Sequence, residues 1–324
     1  DKLDYTAYIQ RTDARINLED FMSFIKSDDP RTTIQMQNGQ SIHFYPTEKV
    51  RLNIDKNAVI ANKVVAPKYY DSIVPYIDID IEGSALYKNR LMMLDVLLNN
   101  NWKRPIYFTG GSFGDDDYLW MKDYLQLEGM VYKLVPVRTP LSESASPLDM
   151  GQIDTDKMYD LVMKWDWGNS SSPDIYHDPE TRKNSISYRT NLARLMEQLI
   201  NEGKKDKARN IINLAMEKMP PQYFGYYTLL EPFAAGYYAI GEPEKARKLL
   251  DFLQTKYKQN LKYYDGLQAS DQNDLSMEIM TDIERYRGIL EVMKDHGDLP
   301  YYEKNKAEFN SINQRFKRFG RDNE

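Results

Sequence analysis

The sequence predicts an α+β protein in which a mixed α/β domain precedes an all-α domain of tetratricopeptide-like helices. Before residue 138 the hydrophobic pattern changes between a period of about 2 and a period of about 3.6 residues, as strands and helices require. From about residue 184 the helical period continues to the end, and a short phrase repeats within it. Because a Ser/Pro-rich stretch separates these regions, we divide the chain into a mixed domain (1–138), a connector with one short helix (139–183) and a helical domain (184–324).

Short alternating segments near the N-terminus predict an antiparallel meander. Segments 33–37 and 41–45 flank Asn38-Gly39, a dipeptide typical of two-residue hairpin turns. A third strand over 50–54 places its apolar side chains on one face. A helix before these strands is predicted from the helical spacing of Leu18, Phe21, Met22 and Ile25.

After the meander, the order of elements predicts a parallel β-α-β-α-β unit. The strand over 76–81 alternates strictly, and Ser84 is a good N-cap for a long apolar helix. The segment 105–108 is a short apolar strand that precedes a glycine pair. The remaining elements of the unit are a helix over 115–127 and a strand over 130–135.

The helical domain contains a repeat typical of tetratricopeptide units. A turn glycine is followed five residues later by alanine at Gly203 and Ala208, and again at Gly241 and Ala246. The small alanine lets two antiparallel helices approach closely, and the glycine turns the chain between them. The pattern therefore predicts a short array of helix pairs. Further helices are predicted over about 273–295 and 300–319.

Composition argues against several classes of function. The 43 Lys and Arg residues against 49 Asp and Glu residues give a net charge of −6, whereas binding to nucleic acid or anionic lipid needs a basic face. The chain has no cysteine, which removes disulfides, thiolate nucleophiles and cysteine-bound metals. No stretch approaches the roughly 18 consecutive apolar residues of a membrane span, so we expect no direct membrane insertion.

A glycine-rich segment over 110–114 is a candidate phosphate or metal site. It stands between a predicted strand and a predicted helix, where backbone N–H groups can hold a phosphate. The acids that directly follow favour a tight turn with helix capping instead. Asp115 and Asp117 also fit the Asp-x-Asp pattern by which many nucleotide-sugar transferases hold a divalent metal.

Asp78, Asp80 and Glu82 form a second acidic cluster on one face of a strand. Three carboxylates could bind calcium, but a solvated outer face of the sheet is the simpler explanation. No nucleophile elbow, phosphate-binding loop or zinc-protease helix occurs in the sequence, and we expect no cofactor. The three histidines are far apart and lack metal-ligand spacing, which indicates structural or exposed positions for His43, His177 and His296.

The 25 tyrosines and a tryptophan pair offer candidate binding surfaces. Tyrosine combines a ring with a hydroxyl, so it serves in recognition as well as in cores. On the concave face of a helical array such rings would bind a peptide or stack on a sugar, and packing between helices is the alternative. An exposed tryptophan pair would suit a glycan, and a buried one would lock the domain junction. The candidate binding residues are Trp165, Trp167, Tyr223, Tyr226, Tyr227, Tyr237 and Tyr238.

Several long phrases of the sequence carry a family resemblance. The most distinctive contains Trp102, Lys103, Arg104 and Pro105 before an apolar strand. Together the phrases resemble the soluble C-terminal region of a bacterial multi-span membrane family, formerly a domain of unknown function, grouped with GT-C type protein O-mannosyltransferases. The resemblance covers nearly the whole chain, including the repeat phrase that begins at Gly203. The other matching phrases are 24–31, 46–49, 55–56, 124–129, 132–136 and 174–178.

The resemblance implies that sugar transfer belongs to a membrane-spanning half that is absent from this chain. No catalytic residue of the family carries over to a position here. The chain would be a non-catalytic extracytoplasmic (periplasmic) accessory region, tethered to the inner membrane through that half. It would position the acceptor protein or stabilise the membrane half. The marker phrase itself suggests a structural role, in which Trp102 closes a helix and Pro105 starts a buried strand.

Two other classes of function stay open at this point. One is a protein-interaction scaffold in which the helical repeats bind a peptide and have no glycan role. The other is a soluble metal-dependent transferase that uses Asp115 and Asp117. The expected partners are the membrane-spanning half and an acceptor protein or glycan, with no nucleic acid.

Overall fold

The computed structural model describes residues 5–37, 39, 41–110, 114, 116–140 and 149–319. Its contacts divide the chain into two units, Asp1–Leu161 and Val162–Glu324. Three small β-sheets with helices make up the first unit, and helices make up the second. The predicted class, a mixed α/β region followed by a helical region, is confirmed. The bounds of the 139–183 connector stay a prediction, and residues 141–148 lie outside the described residues.

The first unit is built on short strands. They form three sheets with the orders β3-β4-β1-β7, β2-β5-β6 and β8-β10-β9. The strands are β1 (Tyr5–Tyr8), β2 (Ile16–Asn17), β3 (Thr33–Gln35), β4 (Ser41–Tyr45), β5 (Lys49–Asn53), β6 (Tyr76–Asp80), β7 (Ala85–Tyr87), β8 (Tyr107–Thr109), β9 (Leu125–Glu128) and β10 (Val131–Leu134). The helices are α1 (Leu18–Lys26), α2 (Lys56–Ala61), α3 (Lys88–Asn100) and α4 (Thr155–Val162).

Helix α1 confirms the helix predicted from residue 18 and covers a core of strands. Leu18, Phe21 and Met22 recur at helical spacing and are buried. They face β4 and β5, against which the helix packs. Glu19 and Asp20 stand in the first turn, where the helix dipole favours acids.

The prediction of a parallel β-α-β-α-β unit is wrong. Strand β6 pairs antiparallel with β5, and β8, β10 and β9 form a separate antiparallel sheet. Two 3₁₀ turns and β9 replace the helix predicted over 115–127, because Leu119 and Trp120 have positive φ and a right-handed helix cannot continue through them. Gly129, at φ 67°, then allows a two-residue hairpin between β9 and β10. The helix predicted from Ser84 begins later, as α3, because β7 pairs with β1.

The antiparallel meander is found only in part. Strands β3 and β4 form the predicted hairpin; Gly39 has φ 81°, and Asn38 lies outside the described residues. Strand β4 then pairs in parallel with β1, and β5 pairs in parallel with β2. Local alternation indicates a strand but not its neighbour, because the choice of partner depends on burial and cross-strand packing.

The second unit consists of helices in successive pairs. Helix α5 packs on α6, α8 on α9, and α11 on α12. The helices predicted over 273–295 and 300–319 are therefore found, with shifted ends. The helices are α5 (Pro179–Asn201), α6 (Lys205–Lys218), α7 (Pro221–Phe224), α8 (Glu231–Ala239), α9 (Pro243–Asp265), α10 (Ala269–Asp274), α11 (Ser276–Asp295) and α12 (Leu299–Asn313).

The same glycine turn joins the two helices of each pair. Gly203, Gly241 and Gly297 have φ of 74°, 86° and 72°, a region that residues with a Cβ rarely adopt. In each turn the glycine N–H donates to the carbonyl three residues back, and the next N–H donates to the carbonyl five residues back. Ala208 and Ala246 are fully buried five residues after their glycines. The third turn was not predicted, and the tetratricopeptide assignment stays a prediction.

An arginine–acid pair recurs between successive helix pairs. Arg209 of α6 donates to Glu242, which directly follows the second turn glycine. Arg247 of α9 occupies the equivalent position in the next pair. It donates to both carboxylate oxygens of Asp298, at 2.8 and 2.9 Å, and Asp298 directly follows the third turn glycine. The Tyr238 hydroxyl also donates to Asp298, at 2.7 Å. Arg247 first, and Tyr238 with it, hold the pKa of Asp298 below its usual value, so the buried carboxylate stays ionised at neutral pH.

We predict that Asp298→Asn lowers the free energy of unfolding by about 2 kcal/mol, because it removes the buried carboxylate that three donors surround. Glu244→Gln is the matched control, since Glu244 is an exposed partner of the same Arg247. Its effect is expected to stay within about 0.5 kcal/mol. Urea unfolding measures both variants, and equal losses would contradict a special role for Asp298.

Glu231 is a half-buried acid at the start of α8. Its Oε1 has no hydrogen-bond partner. The helix dipole favours an ionised acid there, but burial prevails and raises the pKa of Glu231 from 4.5 to about 7, against a smaller opposing effect of Arg285. Between these two pH values the folded state keeps a proton that the unfolded state has released. Stability therefore falls as the pH rises through this window.

We predict that Glu231→Gln removes this pH dependence and stabilises the protein at pH 8 by about 1–2 kcal/mol, a value reduced for solvent screening at a half-buried site. The amide keeps the shape of the side chain without the charge. Thermal unfolding at several pH values measures the effect, and Glu244→Gln should leave the profile unchanged. A Glu231→Gln profile parallel to that of the parent chain would contradict the assignment.

Candidate functional site

A cleft of about 700 Å³ lies beside β6 in the first unit. Its lining comes from β6 with the residues directly before and after it, from the segment 120–124, and from Arg138. Its volume is typical of small-molecule sites, and it combines aromatic rings with charged groups. It is therefore our candidate functional site.

Strand β6 lines the cleft because its side chains alternate. Ile77 and Ile79 are fully buried in the core, so Tyr76, Asp78 and Asp80 lie on the opposite face. This places a ring and two carboxylates along one edge of the cleft. The acidic cluster predicted from the sequence thus lies on the outer face of the sheet, where Asp80 and Glu82 are exposed, and this face lines the cleft.

Two arginines neutralise these acids. Arg51 on β5 lies opposite Asp78 in the strand register and donates to its two oxygens at 2.7 and 2.9 Å. Arg15 donates to Asp80 at 2.6 Å, and its Nε lies 3.5 Å from Asp78. The hydrogen bonds from Arg51 are the main reason that the pKa of Asp78 is held below its usual value. The Asp78 carboxylate therefore stays a hydrogen-bond acceptor at neutral pH.

Arg51 also positions an aromatic ring. Its guanidinium carbon lies 3.7 Å from the centroid of the Tyr76 ring, a cation–π contact. Tyr76 is 41% exposed and lines the cleft. One side chain of β5 thus orients both an acceptor and a ring of the candidate site.

Trp120 lines the cleft from an unusual backbone conformation. Leu119 and Trp120 have φ of 52° and 56°, a left-handed region that costs residues with a Cβ about 1–2 kcal/mol each. Leu119 and Met121 are buried and hold the turn in place, which leaves Trp120 half-exposed in the cleft. Backbone strain of this kind is concentrated at functional sites.

Asp123, Tyr124 and Arg138 complete the lining. Arg138 donates to Asp123 at 3.2 Å, so this acid is paired as well. The Tyr124 carbonyl accepts the N–H of Val135 at 2.9 Å, and the Asp123 carbonyl accepts that of Thr139 at 2.7 Å. Burial raises the pKa of the Tyr124 hydroxyl, which remains a proton donor at neutral pH.

Backbone pairing joins the two sides of the cleft. The N–H of Val74 donates to the carbonyl of Pro136 at 3.0 Å, and Ile73 forms an antiparallel bridge with Val137. Val74 directly precedes the β6 side, and Val137 directly precedes Arg138. The cleft is therefore preformed by hydrogen-bonded backbone.

The structure gives no support to a metal centre in the part of the chain that it describes, where no group of three or more His, Asp or Glu residues could hold a metal ion. Of the three candidate calcium ligands, Asp78 and Asp80 are engaged by arginines and Glu82 is exposed. Asp117 accepts a hydrogen bond from Arg90. Asp115 and residues 111–113 lie outside the described residues, so the metal site of Asp115 and Asp117 stays a prediction.

Four of the candidate aromatic residues lie in packing clusters or open turns of the second unit. Trp165 and Trp167 contact each other with ring centroids 5.6 Å apart, and both rings also contact Tyr188. Tyr223 stacks on His177 with centroids 5.7 Å apart. Tyr226 is exposed in the turn that follows α7.

The remaining candidates also contact other side chains of the second unit. Tyr227 contacts the ring of Phe252, and Tyr237 is buried. Tyr238 is half-buried and engages Asp298. The seven candidates therefore do not form a single aromatic cluster by their ring contacts, and their part in binding stays a prediction.

The marker phrase lies in the turn after α3. Helix α3 ends at Asn100 with Asn101 as its left-handed C-cap at φ 41°, and Trp102, expected to close the helix, is buried with φ 59° directly after this cap. Lys103, Arg104 and Pro105 are exposed, and β8 begins only at Tyr107. The strand start predicted at Pro105 is wrong, because the side chain of the last helical residue holds the Arg104 carbonyl in the turn and proline has no N–H for a ladder.

The sequence analysis assigns none of Tyr76, Trp120 and Arg138 to a site. The helix predicted over 115–127 includes Trp120 and so does not indicate its half-exposed position in the cleft. The sequence carries no local signal for this turn, because Tyr118 and Met121 are three residues apart, a spacing that also fits one face of a helix.

Comparison with protein families finds a match for the first half of the chain. Residues 2–157 match the family model described as TMEM260-associated domain 2. The matched range nearly coincides with the first unit and includes all residues of the cleft, whereas the second unit lies beyond it. The first unit is therefore similar to a domain described as associated with TMEM260. No curated protein and no solved structure matches the chain.

Within the residues that the structure describes, no helix has the length and apolar character needed to cross a membrane. The longest helices, α5 and α9, are amphipathic and carry charged residues throughout.

We predict that Trp120→Gly is more stable than Trp120→Ala by about 1 kcal/mol, because both remove the ring but only glycine adopts positive φ without strain. The matched control is Val96, an exposed residue within α3, where glycine should be less stable than alanine by about 1 kcal/mol. Urea unfolding compares the two pairs. The same order of stability at both positions would contradict the left-handed turn.

Proposed function

We propose that this chain is a non-catalytic extracytoplasmic accessory region of a membrane glycosyltransferase that resembles the protein O-mannosyltransferases. The match of residues 2–157 to TMEM260-associated domain 2 carries the proposal. The sequence phrases around Trp102 support it through their resemblance to the GT-C type family. In such a protein the chain would be periplasmic and tethered through a membrane-spanning half, which would be its first partner.

The cleft supports a positioning role rather than catalysis. A carboxyl group that acts as a general acid or base needs a tuned pKa and access to the reacting atoms. Here Asp78, Asp80 and Asp123 are each bound by an arginine. The chain would hold an acceptor protein or glycan, or stabilise the membrane half, while sugar transfer takes place elsewhere.

A protein-interaction scaffold with no glycan role is the second candidate. The recurring pairs of Arg209 with Glu242 and of Arg247 with Asp298 favour it, because they fix successive helix pairs in one repeating arrangement. Arrays of this kind present extended binding surfaces. A soluble metal-dependent transferase that uses Asp115 and Asp117 is the third, and calorimetry with Mn²⁺ or Ca²⁺ and a nucleotide sugar tests it.

We predict that the purified chain transfers no sugar from either lipid-linked or nucleotide-linked donors to an acceptor protein. Its removal from the parent membrane protein should lower glycosylation of the acceptor in cells. Mass spectrometry of the acceptor measures both results. Robust transfer by the purified chain would overturn the accessory role.

Capture of partners separates the first two candidates. If the accessory role is right, the first unit makes the main contact. The immobilised chain should then still capture a multi-span membrane protein from detergent extracts after residues 162–324 are removed. Circular dichroism checks that the shortened chain remains folded. Loss of all partners on that deletion would favour the scaffold. A coding sequence with many apolar spans upstream of Asp1 would support the accessory role, and a signal peptide directly before Asp1 would refute it.

A further inference from the structure

We infer that the cleft beside β6 is a binding site for a neutral saccharide. This inference names a ligand class for the proposed function. It depends on the proposed function only to explain where the sugar would come from. The chemistry of the cleft carries the inference by itself, through its charge balance, its rings and its fixed acceptors.

The charges of the cleft cancel. Asp78 and Asp80 are bound by Arg51 and Arg15, and Asp123 is bound by Arg138 in the same way. The two other charged groups of the lining are Glu82 and Lys122, one of each sign. A phosphate-bearing ligand would need surplus positive charge, and a cationic peptide would need surplus negative charge. The balance favours a ligand without net charge.

Three rings supply apolar contact from both sides. Tyr76 lies on the β6 side, while Trp120 and Tyr124 lie on the other. Pyranose rings present C–H groups on one or both faces, which pack against the faces of aromatic rings. The cation–π contact with Arg51 holds the Tyr76 ring, and the left-handed turn places Trp120 in the cleft. Rings held before binding lose little entropy when a ligand arrives.

The cleft also offers fixed hydrogen-bonding groups for hydroxyls. An ionised carboxylate has about four acceptor positions. Arg15 takes one position of Asp80, whose side chain is 67% exposed, so acceptor capacity remains on the open side. The Tyr124 hydroxyl can donate. Sugars carry several hydroxyls that both donate and accept, which matches a mixed lining of this kind.

The groove between α3 and β8 differs from the cleft beside β6 because it has few polar groups that could bind sugar hydroxyls. It measures about 390 Å³ and is lined almost wholly by apolar groups, among them Met92, Val96 and Phe108. Such a surface cannot pair sugar hydroxyls, and burying them there without partners would be unfavourable. Aromatic rings and fixed acceptors occur together in the cleft beside β6.

The test is ligand-observed NMR on the whole 324-residue chain with neutral disaccharides of mannose, glucose, galactose and N-acetylglucosamine. At least one should bind in the cleft with an affinity that does not change with salt, because no net charge is involved. Trp120→Ala and Tyr76→Ala should each weaken binding about tenfold, equivalent to about 1.4 kcal/mol. Tyr87→Ala is the matched control, since Tyr87 is 52% exposed and outside the cleft.

Urea unfolding of each variant separates loss of a contact from loss of the fold. If Trp120→Ala unfolds, the affinity of Tyr76→Ala tests the inference instead, because the exposed ring of Tyr76 contributes little to the core. The inference is overturned if no disaccharide binds, if the cleft variants bind as well as Tyr87→Ala, or if trilysine or a sulfated disaccharide binds more tightly and in a salt-dependent way. Retained capture of a membrane partner alongside absent sugar binding would refute this inference while leaving the accessory role intact.

Discussion

The candidate site depends on the register between β5 and β6. Five residue pairs, from Lys49 opposite Asp80 to Asn53 opposite Tyr76, direct Ile77 and Ile79 into the core. A slip by one residue would bury the carboxylates and expose the isoleucines, so hydrophobic burial specifies the register strongly. The same register places Arg51 opposite Asp78. Core packing on one face of the strand thereby determines the chemistry on the other face.

In the cleft, the acids of a small sheet lie close together in a concave site and are paired with arginines. Isolated acids there would repel one another, and the arginines that bind Asp78, Asp80 and Asp123 offset this repulsion. Arg51 serves twice, since it binds Asp78 and lies over Tyr76. The left-handed turn at Leu119 and Trp120 adds strain that the buried neighbours tolerate. A site with these properties is rigid before any ligand arrives, which suits recognition.

The second unit obtains order from a different constraint. Its helix pairs share a glycine turn, and an arginine from one pair binds the acid after the turn of the next. Elsewhere in this unit Arg189 is fully buried and donates to the carbonyls of Met219 and Gly225. Burial lowers the pKa of Arg189 to about 10, and it remains charged at neutral pH. Arginine side chains that bind backbone carbonyls and acids thus join helices and turns of this unit in addition to hydrophobic packing.

The sequence by itself determined the elements whose signals are local. Helix α1, the β3–β4 hairpin and the turns at Gly203 and Gly241 follow from hydrophobic spacing and from glycine in places that need positive φ. The tertiary structure alone decided which strands pair, because β6 could join any neighbour that buried Ile77 and Ile79. It also brought Trp120 and Arg138 to the acids of β6. These contacts join residues about 40 to 60 positions apart, and their energy depends on burial and ion pairing that no local spacing reports.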